Sequence, residues 1–586
     1  VIRRAVRRLG LLVPVAIVAC GGEAAAPGGL ALEKSGGDGQ SGLVGTALAV
    51  PLAVTVRDAA GELVSGVTVA WTATGGTVPA TSTSGPDGVA TATLTLGTTA
   101  GPVAASAALA GAVGSPVSFT ATAQAGPAAQ LVRELGNGQT VIAGQPLPVP
   151  LTVRATDGFG NGVSGVSVEW AVTAGAGTLS PVEAATGSDG RARATLTPAA
   201  MGAVAVTATA GGLTGSPATF TATATIGVVV AAQLPVPANY GLHDQFVRDG
   251  LAFLCAWNSG LLVYDVGGGG RGGAPSNPVL ISVIVTAASG VAGGAQVHNA
   301  WWYHAPNGQK RYVFLGQEGP GSIGSSSSGD IHVVDISNIQ NPIEVASYHL
   351  AGAGTHNFWV DEAAEVLYAA YYNGGVVALD VSGTLTGNLA AREIARIQPG
   401  GPGNTYVWGV QLAGGSLYAT DMLSGFWQLR LHNGAFSVLG GGNNVPERFG
   451  SDQWVAGGYA YSGTWGGFPR SGNPGNALKV WRLDAGGFPV LVDSIVVPGV
   501  GTVSDVEVSA DGKLLMFSAE NGSGAGIYFY SLAADPARPA FLFRHPVSSG
   551  VHTATFAAIG GRQYVFAAKN PPSPALLVLD VTALGL

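Results

Sequence analysis

Residues 354–381 read GTHNFWVDEAAEVLYAAYYNGGVVALDV, and the way this stretch recurs decides the fold. A polar pair, His356-Asn357, precedes a short apolar run; an aromatic-rich run follows, then an alternating run that ends in Asp, GVVALDVS (375–382). Short apolar runs cut by Gly and Asn turns predict strands, because no 3.6-residue spacing is sustained. The last run returns as GLLVYDV (260–266), DIHVVDIS (330–337) and ALLVLDVT (575–582), and more weakly as GFWQLRLH (425–432), ALKVWRLD (477–484) and GIYFYSLA (526–533). Seven sheet units, each unable to bury its own faces, are expected to close into a seven-bladed β-propeller over residues 227–586. Unit seven has no fourth strand after ALLVLDVT. The run GVVVAAQLPV (227–236), ahead of the first unit, is expected to supply it and remove an exposed edge.

A longer repeat precedes this region. VSGVTVAW (64–71) matches VSGVSVEW (163–170), GPDGVATATLT (from Gly85) matches GSDGRARATLT (from Gly187), and GSPVSFTATA (from Gly114) matches GSPATFTATA (from Gly215), at offsets of 99, 102 and 101 residues. Three blocks in one order indicate a tandem duplication. Alternating strands with turn signals every 8–12 residues are the pattern of a β-sandwich, with Trp71 and Trp170 placed to anchor the two cores. The fold class is therefore all-β: two Ig-like β-sandwiches, over 36–125 and 126–226, followed by the propeller.

These blocks resemble bacterial Ig-like domains of the invasin/intimin type, over about residues 30–226. The resemblance implies rigid spacers that hold a distal domain away from a membrane. The strands of units one, two, three and seven resemble the LVIVD-type repeats of bacterial secreted and surface propellers; units four to six lose the DVS ending. That family implies no defined activity.

At the N-terminus, VIRRAVRRLGLLVPVAIVACGG carries four arginines, an apolar stretch from Leu9 to Ala19, and Cys20. Eleven apolar residues are too few to span a bilayer as a helix, so residues 1–19 predict an export signal. Ile17-Val18-Ala19-Cys20 resembles a bacterial lipobox, which implies lipidation of Cys20; a plain signal peptide is the alternative. Gly21 in place of Asp after the cysteine implies an outer-membrane or cell-surface location. Residues 20–35, Gly/Ala-rich, are expected to tether the lipid to the first sandwich. Cys255 alone remains besides Cys20, so no intramolecular disulfide is expected and Cys255 is read as a small buried apolar residue.

The net charge of −8 comes with no Lys/Arg block outside the N-terminus, which argues against nucleic acid as a partner. There is no GxSxG nucleophile elbow, no HExxH and no CxxC. Gly319 to Gly324 spells GxGxxG, but in a Ser/Gly loop with no helix to present to phosphate.

Aligning the units places His243, His298, His356, Trp408, Asp452, Asp505 and His552 at the start of the innermost strands. Ring closure makes His552, His243, His298 and His356 neighbours on consecutive blades, facing Asp452 and Asp505 across the channel mouth. Imidazoles and carboxylates converging from separate strands form a ligand set for Zn, Cu, Fe or Mn. The plainer reading is that a polar residue here hydrogen-bonds the neighbouring blade and repeats because the blade repeats. Strand alternation sends Asp244, Asn299 and Asn357 to the opposite face, as turn or inter-blade groups. Asp265, Asp335, Asp380 and Asp580 are expected to form turns. Trp301, Trp302 and Tyr303 could stack on a sugar ring or fill the core between blades.

Two functions follow as expectations. One is a non-enzymatic surface lipoprotein whose spacers present a propeller to a protein or glycan partner, with the membrane reached through the N-terminal lipid. The other is an exported metal-dependent enzyme using the histidines at the channel mouth.

Overall fold

The computed structural model describes residues 29–236, 241–287, 295–319, 321–484 and 488–585. The signal, Cys20 and most of the tether lie outside the described residues. The tether is shorter than expected at its far end, because Ala31–Gly36 is already a strand, paired antiparallel with Leu52–Arg57. Leu32 turns into the core while its neighbours face out, so the alternation of a sandwich edge begins inside the Gly/Ala-rich segment.

Each N-terminal domain is a pair of antiparallel-rich sheets. In the first, Ala31–Gly36, Leu52–Arg57 and Val89–Ala92 face a five-stranded sheet that includes Gly101–Ala108 and Val117–Gln124. In the second, Gln130–Leu135, Leu151–Thr156, Arg191–Pro198 and Gly177–Val182 face Gln139–Ile142, Ala218–Thr225, Gly202–Thr209 and Glu169–Ala174. Strict alternation along Val117–Gln124 and Ala218–Thr225 buries one face of each strand. Trp71 is buried against Phe119, as expected; Trp170 packs on Phe220 but remains half-buried. Asn161 links the two sandwiches: its amide donates to the Thr98 carbonyl and its oxygen accepts from the Ala100 N–H.

Seven antiparallel four-stranded units form the rest, and their first strands are the innermost. Asp244–Arg248, Val297–Tyr303, Phe358–Asp361, Val407–Ala413, Phe449–Ala456, Thr502–Val508 and Val551–Ile559 touch one another in that order, and the last touches the first. The ring closes as expected. Val229–Pro235 pairs with Ala575–Asp580 and becomes the outer strand of the seventh blade.

The repeated aspartates at the ends of third strands do form turns. Asp335, Asp380 and Asp580 each accept the N–H two residues on, from Ser337, Ser382 and Thr582. Asp265 does more: Oδ1 accepts from Gly267, Gly268 and Gly269, and Oδ2 from Arg271 and Gly273. Burial works against its charge, yet these donors hold the carboxyl far below its ordinary 3.8. Asp265→Ala is expected to cost about 2–4 kcal/mol by thermal or denaturant unfolding. Because the folded-state value is depressed, that contribution is present above pH 3.8 and lost as acid titrates the folded carboxyl, so variant and wild type should converge at low pH.

Candidate functional site

Five of the seven inner strands begin with a slip in the ladder, and in blades one and three the N–H groups of His243 and His356 bond Cys255 and Ala370, the residues that also face Asp244 and Asn357; this sets the chemistry of the channel. The ladder slips between Val297 and Asn299, Val407 and Gly409, Gly450 and Gln453, Val503 and Val506, and Val551 and Ala554. A bulge inserts an unpaired residue and re-aims side chains, so the two residues at its centre need not point to opposite faces. The expectation that Asp244, Asn299 and Asn357 turn away from the channel is therefore corrected: with Asp452 and Asp505 they line one cavity of about 260 Å³ at the channel mouth. The placement of Asp452 and Asp505 beside the histidines is corrected as well. Ser451 and Ser504 share the histidine level, where Ser504 Oγ lies 3.4 Å from His552 Nδ1; the two aspartates belong to the next level with Asp244, Asn299 and Asn357. The sequence alignment was one residue out in blades five and six.

The four histidines do meet. Ring centroids of His243 and His552 are 4.5 Å apart, of His243 and His298 5.1 Å, and of His298 and His356 4.1 Å. Trp408 continues the ring, 4.1 Å from His356. Burial, then neighbouring imidazoles, holds His243, His298 and His356 well below the ordinary 6.5. His552 differs. Burial opposes its charge, but Glu520 Oε1 lies 3.0 Å from Nδ1 and lifts it to about 9.

Residues from the ends of second strands complete this level. Trp257 stacks on His243, Tyr372 lies edge-on to His356, and Glu318 Oε2 is 3.6 Å from His298 Nε2. Tyr372 donates its hydroxyl to Glu318 Oε1. Burial lifts Glu318 to about 7, against the pull of that hydroxyl. Sequence reading missed Glu318 and Glu520, which sit at or just past the strands Tyr312–Gln317 and Leu514–Glu520. Counting along second strands, and not only along first strands, would have found them.

The mouth cavity has an acidic floor and an aromatic wall. Asn357 Nδ2 donates to Asp452 Oδ1 at 3.0 Å, and Asp505 Oδ2 accepts the Ala554 N–H. Burial raises Asp452, with the charge of Asp505 adding to it, and burial raises Asp505; burial and Asp505 lift Asp244 to about 8, and the same two causes raise Glu507. Gly409 takes the aspartate's place in blade four, where a Cβ would come within 2.5 Å of Asp452 Oδ1. Phe246, Trp301, Trp359 and Trp454 form a half-buried arc around the opening, with neighbouring ring centroids 5.1, 5.2 and 6.0 Å apart. Glu362 accepts the indole N–H of Trp301 and is held by a bidentate pair with Arg248, so that ring is fixed before any ligand arrives.

Of the three aromatics singled out for stacking, only Trp301 lines the opening. Trp302 is buried against Phe253 and donates to the Lys310 carbonyl; Tyr303 is buried with its hydroxyl on Glu365. Both are core between blades.

Residues 47–122 and 138–223 match the family model of the bacterial Ig-like domain (group 1). No curated protein sequence matches the chain. Among solved structures it is similar to the WD40 β-propeller domain of Doa1 (9% identity, 60% of this chain and 97% of that one, TM-score 0.41) and to a chain of the mitotic checkpoint complex (12%, 61% and 96%, TM-score 0.44). It is also similar to the Myceliophteria thermophila Cps50 (Swd1) β-propeller domain (9%, 61% and 100%, TM-score 0.42). At these values the ring of seven sheets, and not the likeness, carries the propeller fold.

Proposed function

We propose that this chain is a bacterial surface lipoprotein in which two Ig-like spacers present a propeller that binds glycan at its channel mouth. The observation that carries the reading is the arc of Phe246, Trp301, Trp359 and Trp454 over the Asp, Asn and Gln side chains of the mouth cavity. A sugar ring has an apolar face that stacks on an indole and an edge of hydroxyls that both donate and accept. Carboxyls raised by burial donate when protonated and accept when ionised, and the Asn and Gln amides both donate and accept. A cavity of about 260 Å³ suits one terminal sugar residue. The lipobox-like segment ending at Cys20 and the paired Ig-like domains support the surface placement.

The test is a glycan screen with the full chain, followed by calorimetry. Trp301→Ala and Trp359→Ala are each expected to weaken binding about tenfold, measured below their lowered unfolding midpoints with circular dichroism showing the folded state. Folded wild type that retains no glycan, or variants that bind as well as wild type, would overturn the reading. A metal-dependent enzyme is the second reading; the histidine level, one residue along the same strands, favours it.

A further inference from the structure

We infer that the propeller channel binds one divalent first-row transition metal ion through His298, His356 and Glu318. The inference does not depend on the glycan reading. Among the described residues, two groups of side chains bring three potential ligand atoms within 4.8 Å of one another: His243, His298 and His552, and His298, Glu318 and His356. Donor atoms bonded to one ion at about 2.0–2.2 Å lie about 3.3–3.6 Å apart in a tetrahedral site; His298 Nε2 and Glu318 Oε2, 3.6 Å apart, already meet that spacing, and the 4.8 Å limit leaves at most about 1.5 Å of closure for the third atom. His298 belongs to both, and the chemistry of the others decides between them.

His552 has Nδ1 on the Glu520 carboxylate and only Nε2 to offer, and its group contains no carboxylate, whereas the group of His298, Glu318 and His356 supplies an anionic donor of its own. His298 and His356 are each 1% exposed, and neither nitrogen of either ring has a hydrogen-bond partner. Four buried nitrogen atoms without partners are costly in a packed interior. Placed on an ion, each neutral imidazole would satisfy one of its two nitrogens and recover part of that loss. Glu318 brings the anionic oxygen, and Tyr372 occupies only its Oε1, leaving Oε2 toward His298. A hydroxyl holding the far oxygen of a ligating carboxylate is the outer support that metal sites require. Two histidines and one carboxylate suit iron, manganese or zinc, with open positions left for a further ligand. His243, whose Nδ1 is also unpartnered, stands next in the ring. Stacked imidazoles serving only as packing would explain the ring contacts but not the position of a carboxylate beside them.

The full chain is loaded separately with Fe(II), Mn(II), Zn(II) and Co(II), desalted, and measured for bound metal, with the visible spectrum of the Co(II) form as a second readout. Wild type is expected to retain one equivalent of at least one metal. Glu318→Gln, which keeps the shape of the side chain, is expected to weaken retention by at least about tenfold, and His298→Gln with His356→Gln to abolish it. His432→Ala, an exposed histidine, should change nothing. Circular dichroism and the unfolding midpoint in chelator show whether each variant is folded. Wild type that keeps no more metal than the double variant, or Glu318→Gln that keeps all of it while His243→Ala loses it, would overturn the assignment.

Discussion

Replacing Val229–Pro235 in the full chain by a Gly/Ser stretch of equal length should destabilise the propeller by on the order of 5 kcal/mol. The seven-residue strand pairs six of its residues with Ala575–Asp580. Leu234, Ala231 and Ala232 pack on the cluster that holds Leu254, Phe566, Leu576 and Val578. Without them the N–H and C=O groups along one side of Ala575–Asp580 stand open at a sheet edge, with fully buried neighbours on the other side. The unfolding midpoint should fall by roughly 10 °C, and the variant should aggregate from its unpaired edge. Nine of the eleven tryptophans lie beyond residue 227, so tryptophan fluorescence reports this domain and not the sandwiches. An unchanged midpoint would mean that contacts between blades one and seven hold the ring without the strand.

That ring closure was readable because it rests on a pattern every blade repeats. GVVALDVS and its six relatives mark third strands, and the aspartate that ends four of them makes the same backbone hydrogen bond in each turn. A missing fourth strand then has one spare run to fill it. The histidines were readable for the same reason, since four of the nine fall on one register. What failed was the step that assumed strict alternation. A bulge at the start of an inner strand adds one residue, which moved Asp452 and Asp505 to another level and brought Asn299 into the channel; Asn357 follows because the His356 N–H and the Asn357 carbonyl both bond Ala370. Glu318 escaped because its position lies at the end of the second strand, where other blades carry Trp257, Tyr372 and Glu520, so the one matching carboxylate stands four blades further along the chain. Of the two readings open for Trp302 and Tyr303, the core one holds, because neighbouring residues in a blade are both buried, one against each adjoining blade.

Glu520→Ala should cost about 3–5 kcal/mol, the usual penalty for stranding one member of a buried ion pair. Glu520 and His552 are only 15% and 14% exposed, 3.0 Å apart, and Asn570 Nδ2 donates to the second carboxylate oxygen at 2.7 Å. Removing the carboxylate leaves His552 in the midst of imidazoles with the weaker pull of Glu318 and Asp505 to balance its charge, so it loses its proton more readily or draws in water. The pH dependence follows from the two shifts. His552 is raised from 6.5 to about 9, so its share is complete below 6.5 and lost as pH rises through 9; Glu520 is held below 4.5 despite its burial, so its share is present above 4.5 and lost as pH falls. The gap between wild type and variant should therefore be widest between pH 5 and 6.5 and narrow by pH 10, measured as unfolding midpoints across that range. A gap independent of pH would assign the loss to packing and the Asn570 bond in place of the charge pair. Because the pair holds His552 Nδ1, the same measurement in chelator separates this structural histidine from His298 and His356, whose nitrogens have no such partner.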